Sequence, residues 1–167
     1  MRDVERGVNK NREDVKAKCP ECGSMMADMG LDFESPKKND LKSWEYVRNL
    51  YISGITFHSC GCTGPGYIPR DYEALVTYLK RMKNLYIDQR RFWQHREEPT
   101  NDREKQKDWH ANKEYLCKVP SYLQTGTRKK RHVNIQKAVE YWTGKINDID
   151  AKLEELSKSP IGKLSIL

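Results

Sequence analysis

A chain of 167 residues, 33% charged and 37% hydrophobic, has room for one domain, or for a small metal module joined to a second small unit, and for no more than a thin core. Four Trp, nine Tyr and three Phe supply the large side chains to fill that core, and the longest nearly apolar run, Leu50 to Phe57, is interrupted by Ser53 and Gly54 and is far too short for a bilayer span. The five cysteines are an odd number in no disulfide-framework pattern, so a soluble, cytoplasmic protein is expected, without a secretory leader. The net charge of +7 is unevenly placed: residues 1–69 hold ten basic and ten acidic side chains, residues 70–131 sixteen and nine, and residues 132–167 five and five.

Residues 1–18 carry both signs of charge and almost no apolar pattern, which predicts a flexible N-terminal arm. The sequence then reads Cys19-Pro20-Glu21-Cys22-Gly23 and, further on, His58-Ser59-Cys60-Gly61-Cys62. Two close thiol pairs are how a chain presents four sulfurs to one tetrahedral zinc, so Cys19, Cys22, Cys60 and Cys62 are the predicted ligands of a structural Zn2+. The CPECG turn resembles the zinc knuckle of zinc-ribbon and rubredoxin-like modules, which implies a metal fold and no particular activity. The second pair departs from the usual spacing by having one intervening residue, which leaves His58 as an alternative to one of its thiols. A redox role for Cys19 and Cys22 lacks a βαβ context and leaves Cys60 and Cys62 unexplained.

Between the pairs, Met25, Met26, Met29, Leu31 and Phe33 are expected to form a strand or an irregular apolar stretch against the metal site. Asn39 or Asp40 then caps a predicted helix over 40–52 with Leu41, Trp44, Val47 and Tyr51 on its apolar face and Gly54 as its stop. Ile55, Thr56 and Phe57 are read as a short strand that delivers the second thiol pair. Residues 63–69, with two Gly and two Pro, match neither a Walker loop nor a dinucleotide fingerprint and are read as a connector ending a module over 19–69.

From Asp71 the period is helical. Tyr72, Leu75, Leu79, Met82, Tyr86, Gln89 and Trp93 recur at steps of three and four, widened by Tyr78, Leu85 and Phe92, and predict a helix over 71–97. Glu98-Pro99 ends it, and Thr100 or Asn101 with Glu104 predicts the start of a shorter, mostly polar helix over 102–117, with Trp109 and Leu116 as its main apolar residues. Cys117 is expected to be a small, partly buried hydrophobe. Residues 118–131 are read as a loop that ends in Arg128-Lys129-Lys130-Arg131. Ile135, Val139, Trp142, Ile146, Ile149, Leu153 and Leu156 hold a heptad seam, which predicts a last helix pairing antiparallel with the 71–97 helix. The same seam would serve a dimer, but the long connection favours a monomeric hairpin. The expected class is therefore α+β and mostly α: a ribbon-like zinc module with an inserted helix, followed over 70–167 by a helical hairpin with a third, shorter helix.

A closed four-thiolate site has no open position for activating water, and no local Ser/His/Asp or Cys/His grouping is present, so a non-enzymatic role is expected. Arg90, Arg91 and Arg96 interleave with Phe92, Trp93 and His95, and Arg128, Lys129, Lys130 and Arg131 form a second basic cluster. Together these predict a phosphate-tracking surface for DNA or RNA with aromatic groups to stack on bases. The alternative is a protein-interaction module, an adaptor, regulator or inhibitor, whose basic middle meets an acidic protein surface.

Overall fold

The computed structural model describes residues 18–58, 66–126 and 132–158, and all structural statements below refer to these. Four helices account for most of them: α1 (Leu41–Ile52), α2 (Tyr72–Gln94), α3 (Asp102–Leu116) and α4 (Ile135–Ser157). A single turn of 3-10 helix (Ser121–Leu123) leads into a two-stranded antiparallel hairpin of β1 (Gln124–Thr125) and β2 (His132–Val133), paired Gln124 with Val133 and Thr125 with His132. The mostly helical α+β class is as expected.

Each helix starts where a short polar side chain can take over an orphan amide. Asp40, Asp71, Asn101 and Asn134 accept from the backbone amides of Ser43, Ala74, Glu104 and Lys137. At the start of α3, the Glu104 carboxylate also reaches back to the Thr100 amide (3.0 Å) and hydroxyl (2.9 Å). Those bonds, the amide's first, hold the Glu104 carboxyl below its ordinary pKa. Gly54 ends α1 in the left-handed region (φ +75), with its amide on the Tyr51 carbonyl and that of Ile55 on Leu50, a complete Schellman turn.

The framework is the antiparallel pair α2 and α4. The Tyr72 hydroxyl, at the start of α2, donates to the Leu156 carbonyl near the end of α4 (3.2 Å). Lys83 pairs with Asp150 midway, and Tyr86 lies against Trp142 with ring centroids 5.4 Å apart. The predicted seam is thus used within the chain: Trp142, Ile146, Ile149 and Leu156 are buried against the α2 stripe of Leu75, Leu79 and Trp93. One core cluster (Leu50, Leu75, Leu79, Ile149, Leu156) joins α1 to the hairpin, and a second (Trp93, Val119, Leu123, Ala138, Trp142) closes its other end.

The inward face of α1 differs from expectation. Leu41, Trp44 and Tyr51 are 76%, 38% and 47% exposed, while Asn49 and Leu50 are buried. A second stripe at helical spacing, Tyr46, Asn49, Leu50 and Ser53, turns inward instead, because long-range hydrogen bonds tie it down. The Tyr46 hydroxyl donates to the Pro69 carbonyl, and Lys152 Nζ on α4 donates to the Ser53 carbonyl (2.9 Å). Burial, with smaller contributions from Asp71 and Tyr67, pushes the Tyr46 phenol up to about 12, so it stays a donor at all ordinary pH.

The apolar stretch after the first thiol pair is irregular. Met29 is buried, whereas Met25, Met26 and Leu31 are exposed, since only the short segment 55–57 returns to cover it. That segment is not a regular strand, but the Phe57 amide donates to the Met29 carbonyl (2.6 Å) and the Asp32 amide to the Phe57 carbonyl (3.2 Å). Gly30 (φ +93) makes the approach feasible, because a Cβ there would lie 2.4 Å from the Phe57 carbonyl carbon.

Candidate metal centre and nucleic-acid interface

The first thiol pair sits on a tight reversal. Lys18 and Met25 form an antiparallel bridge, the Cys19 amide donates to the Ser24 carbonyl (2.8 Å), and the Gly23 amide donates to the Cys19 carbonyl (2.9 Å). Gly23 takes the left-handed conformation (φ +70) that closes the turn. Both thiols are free, and hydrogen bonds from Ser24, its hydroxyl first and its amide second, together with the Cys19 thiol, hold Cys22 below the ordinary thiol pKa. Such a turn fits a pair of thiolate ligands, because the deprotonated form is what a metal binds.

Cys60 and Cys62 lie outside the described residues. His58, two residues before Cys60, is exposed and lies with Nε2 3.9 Å from Asp28 Oδ1, six residues beyond Cys22. The backbone pairing between Met29 and Phe57 thus brings His58 beside the irregular stretch that follows the first thiol pair. Among the described residues alone, no group of three or more His, Cys, Asp or Glu is assembled.

Of the predicted basic residues, Arg90, Arg91 and Arg96 are described. Arg128, Lys129, Lys130 and Arg131 are outside the described residues, but they fall in the connection from β1 to β2, whose two ends are fixed by the strand pairing. The loop expected over 118–131 therefore contains a hairpin. His132, which follows Arg131 directly, pairs through Nδ1 with Glu98 Oε1 (3.2 Å), just past the end of α2. Leu123 and Val119 plug the same end by packing on Trp93, Ala138 and Trp142. The strands that flank the second cluster in sequence are thereby tied to the end of α2, which bears the first.

The three arginines of α2 differ in what they are free to do. Arg91 is exposed and touches only Asp88 one turn back (3.7 Å), a weak surface pair. Arg90 is half-buried, with an Nε atom that has no hydrogen-bond partner among the described residues. Arg96 is committed: its guanidinium makes two bonds to the Asp108 carboxylate on α3 (3.0 and 2.7 Å) and lies over the Phe92 and Trp93 rings (both 5.3 Å). The side chains are only 10% and 18% exposed, so Arg96 serves to dock α3 and contributes little to a phosphate-facing surface. Phe92 and Tyr115 stack at 4.4 Å to complete that joint.

The bond from Arg96, with a further one from Asn112, holds Asp108 below its ordinary pKa against the opposing effect of burial. A depressed folded-state value means the pair stabilises fully above the unfolded aspartate value, about 4, and is lost as pH falls through the folded one. Asp108→Ala leaves a nearly buried guanidinium unpaired and is expected to cost about 3 kcal/mol at neutral pH. Urea melts of the two proteins should converge as pH falls below about 4.

Between the end of α2, α3 and the β-hairpin opens a cavity of about 680 Å3, walled by residues that include Trp93, Arg96, Lys105, Trp109, Gln124 and His132. Sequence reasoning had no sign of this cavity. The one available signal was Trp109, a large aromatic on a helix with no buried residue. Cys117, expected to be partly buried, is exposed at the C-cap of α3 and also lines the cavity. His95 and His110 are exposed, and no described helix is long and apolar enough to cross a membrane. Comparison of the chain with protein-family models, with curated proteins and with solved structures gives no match.

Proposed function

We propose that this protein binds nucleic acid, without catalysing a reaction, through the hairpin end of its helical framework, and that Cys19, Cys22, Cys60 and Cys62 hold a structural zinc ion in the head. His58 is the alternative fourth ligand to one thiol of the second pair. One observation supports the nucleic-acid reading: β1 and β2, which flank the 128–131 run in sequence, pair with each other, and His132 contacts Glu98 just past the helix that bears Arg90 and Arg91. Two basic clusters acting together would neutralise several phosphates at once, and the excess positive charge of the chain lies within residues 70–131. Zinc supplies rigidity in this reading, fixing the head that packs through Leu50 on the hairpin.

Lysine-reactivity footprinting tests the location. Bound DNA or RNA is expected to protect Lys129 and Lys130 while leaving Lys158, exposed at the far end of α4, fully reactive. Protection of Lys158 with Lys129 and Lys130 unprotected would place the contact elsewhere. The second reading, a protein-interaction module, is favoured by a different observation: Leu41, Trp44 and Tyr51 form an exposed apolar stripe on α1, close in sequence to exposed Met25, Met26 and Leu31.

A further inference from the structure

We infer that the cavity at the hairpin end takes one unpaired nucleobase, which makes the preferred ligand single-stranded; this rests on the nucleic-acid reading above. Its volume of about 680 Å3 falls within the range of about 300–1,000 Å3 in which small organic groups bind. Its ionic groups are largely matched with one another: Arg96 with Asp108, and His132 with Glu98. Lys105, the other cation of the wall, has Asp102 as its acidic partner (3.7 Å), so a neutral, planar occupant is the better fit.

Two tryptophans give that occupant its surfaces. Trp109 is 46% exposed on a helix that buries no residue of its own, so an aromatic face is left open at the cavity wall. Trp93 is only 1% exposed, yet its indole Nε1, a donor only, has no hydrogen-bond partner among the described residues. In sequence the 128–131 run directly precedes His132, itself a cavity residue, and its cationic side chains are the proposed partners for the phosphates of a strand inserting a base.

The test uses the full, zinc-loaded chain and fluorescence anisotropy at low salt, with four probes: a short single strand, the same strand without bases, its duplex, and adenosine monophosphate as competitor. Trp109→Ala, checked for unchanged helicity, is expected to weaken single-strand binding about tenfold, in keeping with loss of one stacked base, and to leave the salt slope unchanged because no charge is removed. Wild-type protein should bind the abasic strand about tenfold more weakly, and Trp109→Ala should not weaken that further. Competition by the mononucleotide that Trp109→Ala abolishes would show that a free base suffices, whereas Trp109-dependent strand binding without competition would assign the occupant to a strand. If single strand, abasic strand and Trp109→Ala all bind alike, the base cavity is refuted while the phosphate surface survives. If no probe binds, both readings fall.

Discussion

Removing the zinc, or replacing Cys22 by Ser, is expected to open the head of the protein while the α2–α4 pair stays folded. A structural zinc bound by thiolates contributes about 10–16 kcal/mol of apparent binding free energy, far more than the sparse apolar contacts of residues 18–35 can supply. Met29 is the one buried apolar residue of that stretch. The amides of Cys19, Gly23, Asp32 and Phe57, which are bonded within the head, should therefore lose their protection from hydrogen exchange first. Protection should persist along α2 and α4, whose core is built from Leu75, Leu79, Ile149 and Trp142 without any thiol. Cys117→Ser is the control, since that thiol is exposed at the C-cap of α3, is not a predicted ligand, and should change neither zinc content nor exchange. Elemental analysis with exchange mass spectrometry reads both quantities. Full loss of zinc with unchanged protection would mean that the metal does not organise the head.

Neutralising Arg128, Lys129, Lys130 and Arg131 together is expected to produce the other large effect. If all four face phosphate, the log–log salt slope on duplex DNA flattens by about 3.6, and affinity at physiological salt falls about a hundredfold or more. Folding should be unaffected, because the core at that end comes from Val119, Leu123, Trp93 and Trp142. Arg96→Gln should behave in the opposite way, lowering stability through its lost bonds to Asp108 and leaving the salt slope nearly intact. This contrast separates a cation that meets the ligand from one that holds two helices together.

The long helices were legible because their apolar residues repeat at three and four over six turns, and because Asp71, Asn101 with Glu104, and Gly54 are chemically suited to the ends they occupy. Periodicity alone does not say which of two stripes will find a neighbour. In α1 the more apolar stripe is left outside, and Tyr46, Leu50 and Ser53 turn inward, held by partners 23 and 99 residues away along the chain. The β-hairpin was illegible for another reason. Strands of two residues, Gln-Thr and His-Val, are too short to display alternation, and their pairing is held in place by what surrounds it. The tight turn at CPECG, with Gly23 in a conformation closed to bulkier residues, was legible in the sequence; Cys60 and Cys62 lie outside the described residues. The site's basic residues were all visible in the sequence, but the commitment of Arg96 to Asp108 and the cavity beside Trp109 depend on how α3 docks, which no local pattern encodes.

The most direct test of the nucleic-acid reading is a salt titration of binding to short single- and double-stranded DNA and RNA, using protein with confirmed zinc content. The account predicts micromolar or tighter binding at low salt, a steep decline as salt rises, and a clearly flatter decline once the 128–131 cluster is neutralised. Absence of binding at low salt, or a slope indifferent to that cluster, would contradict it and direct attention to the exposed apolar stripe of α1 as a protein-docking surface.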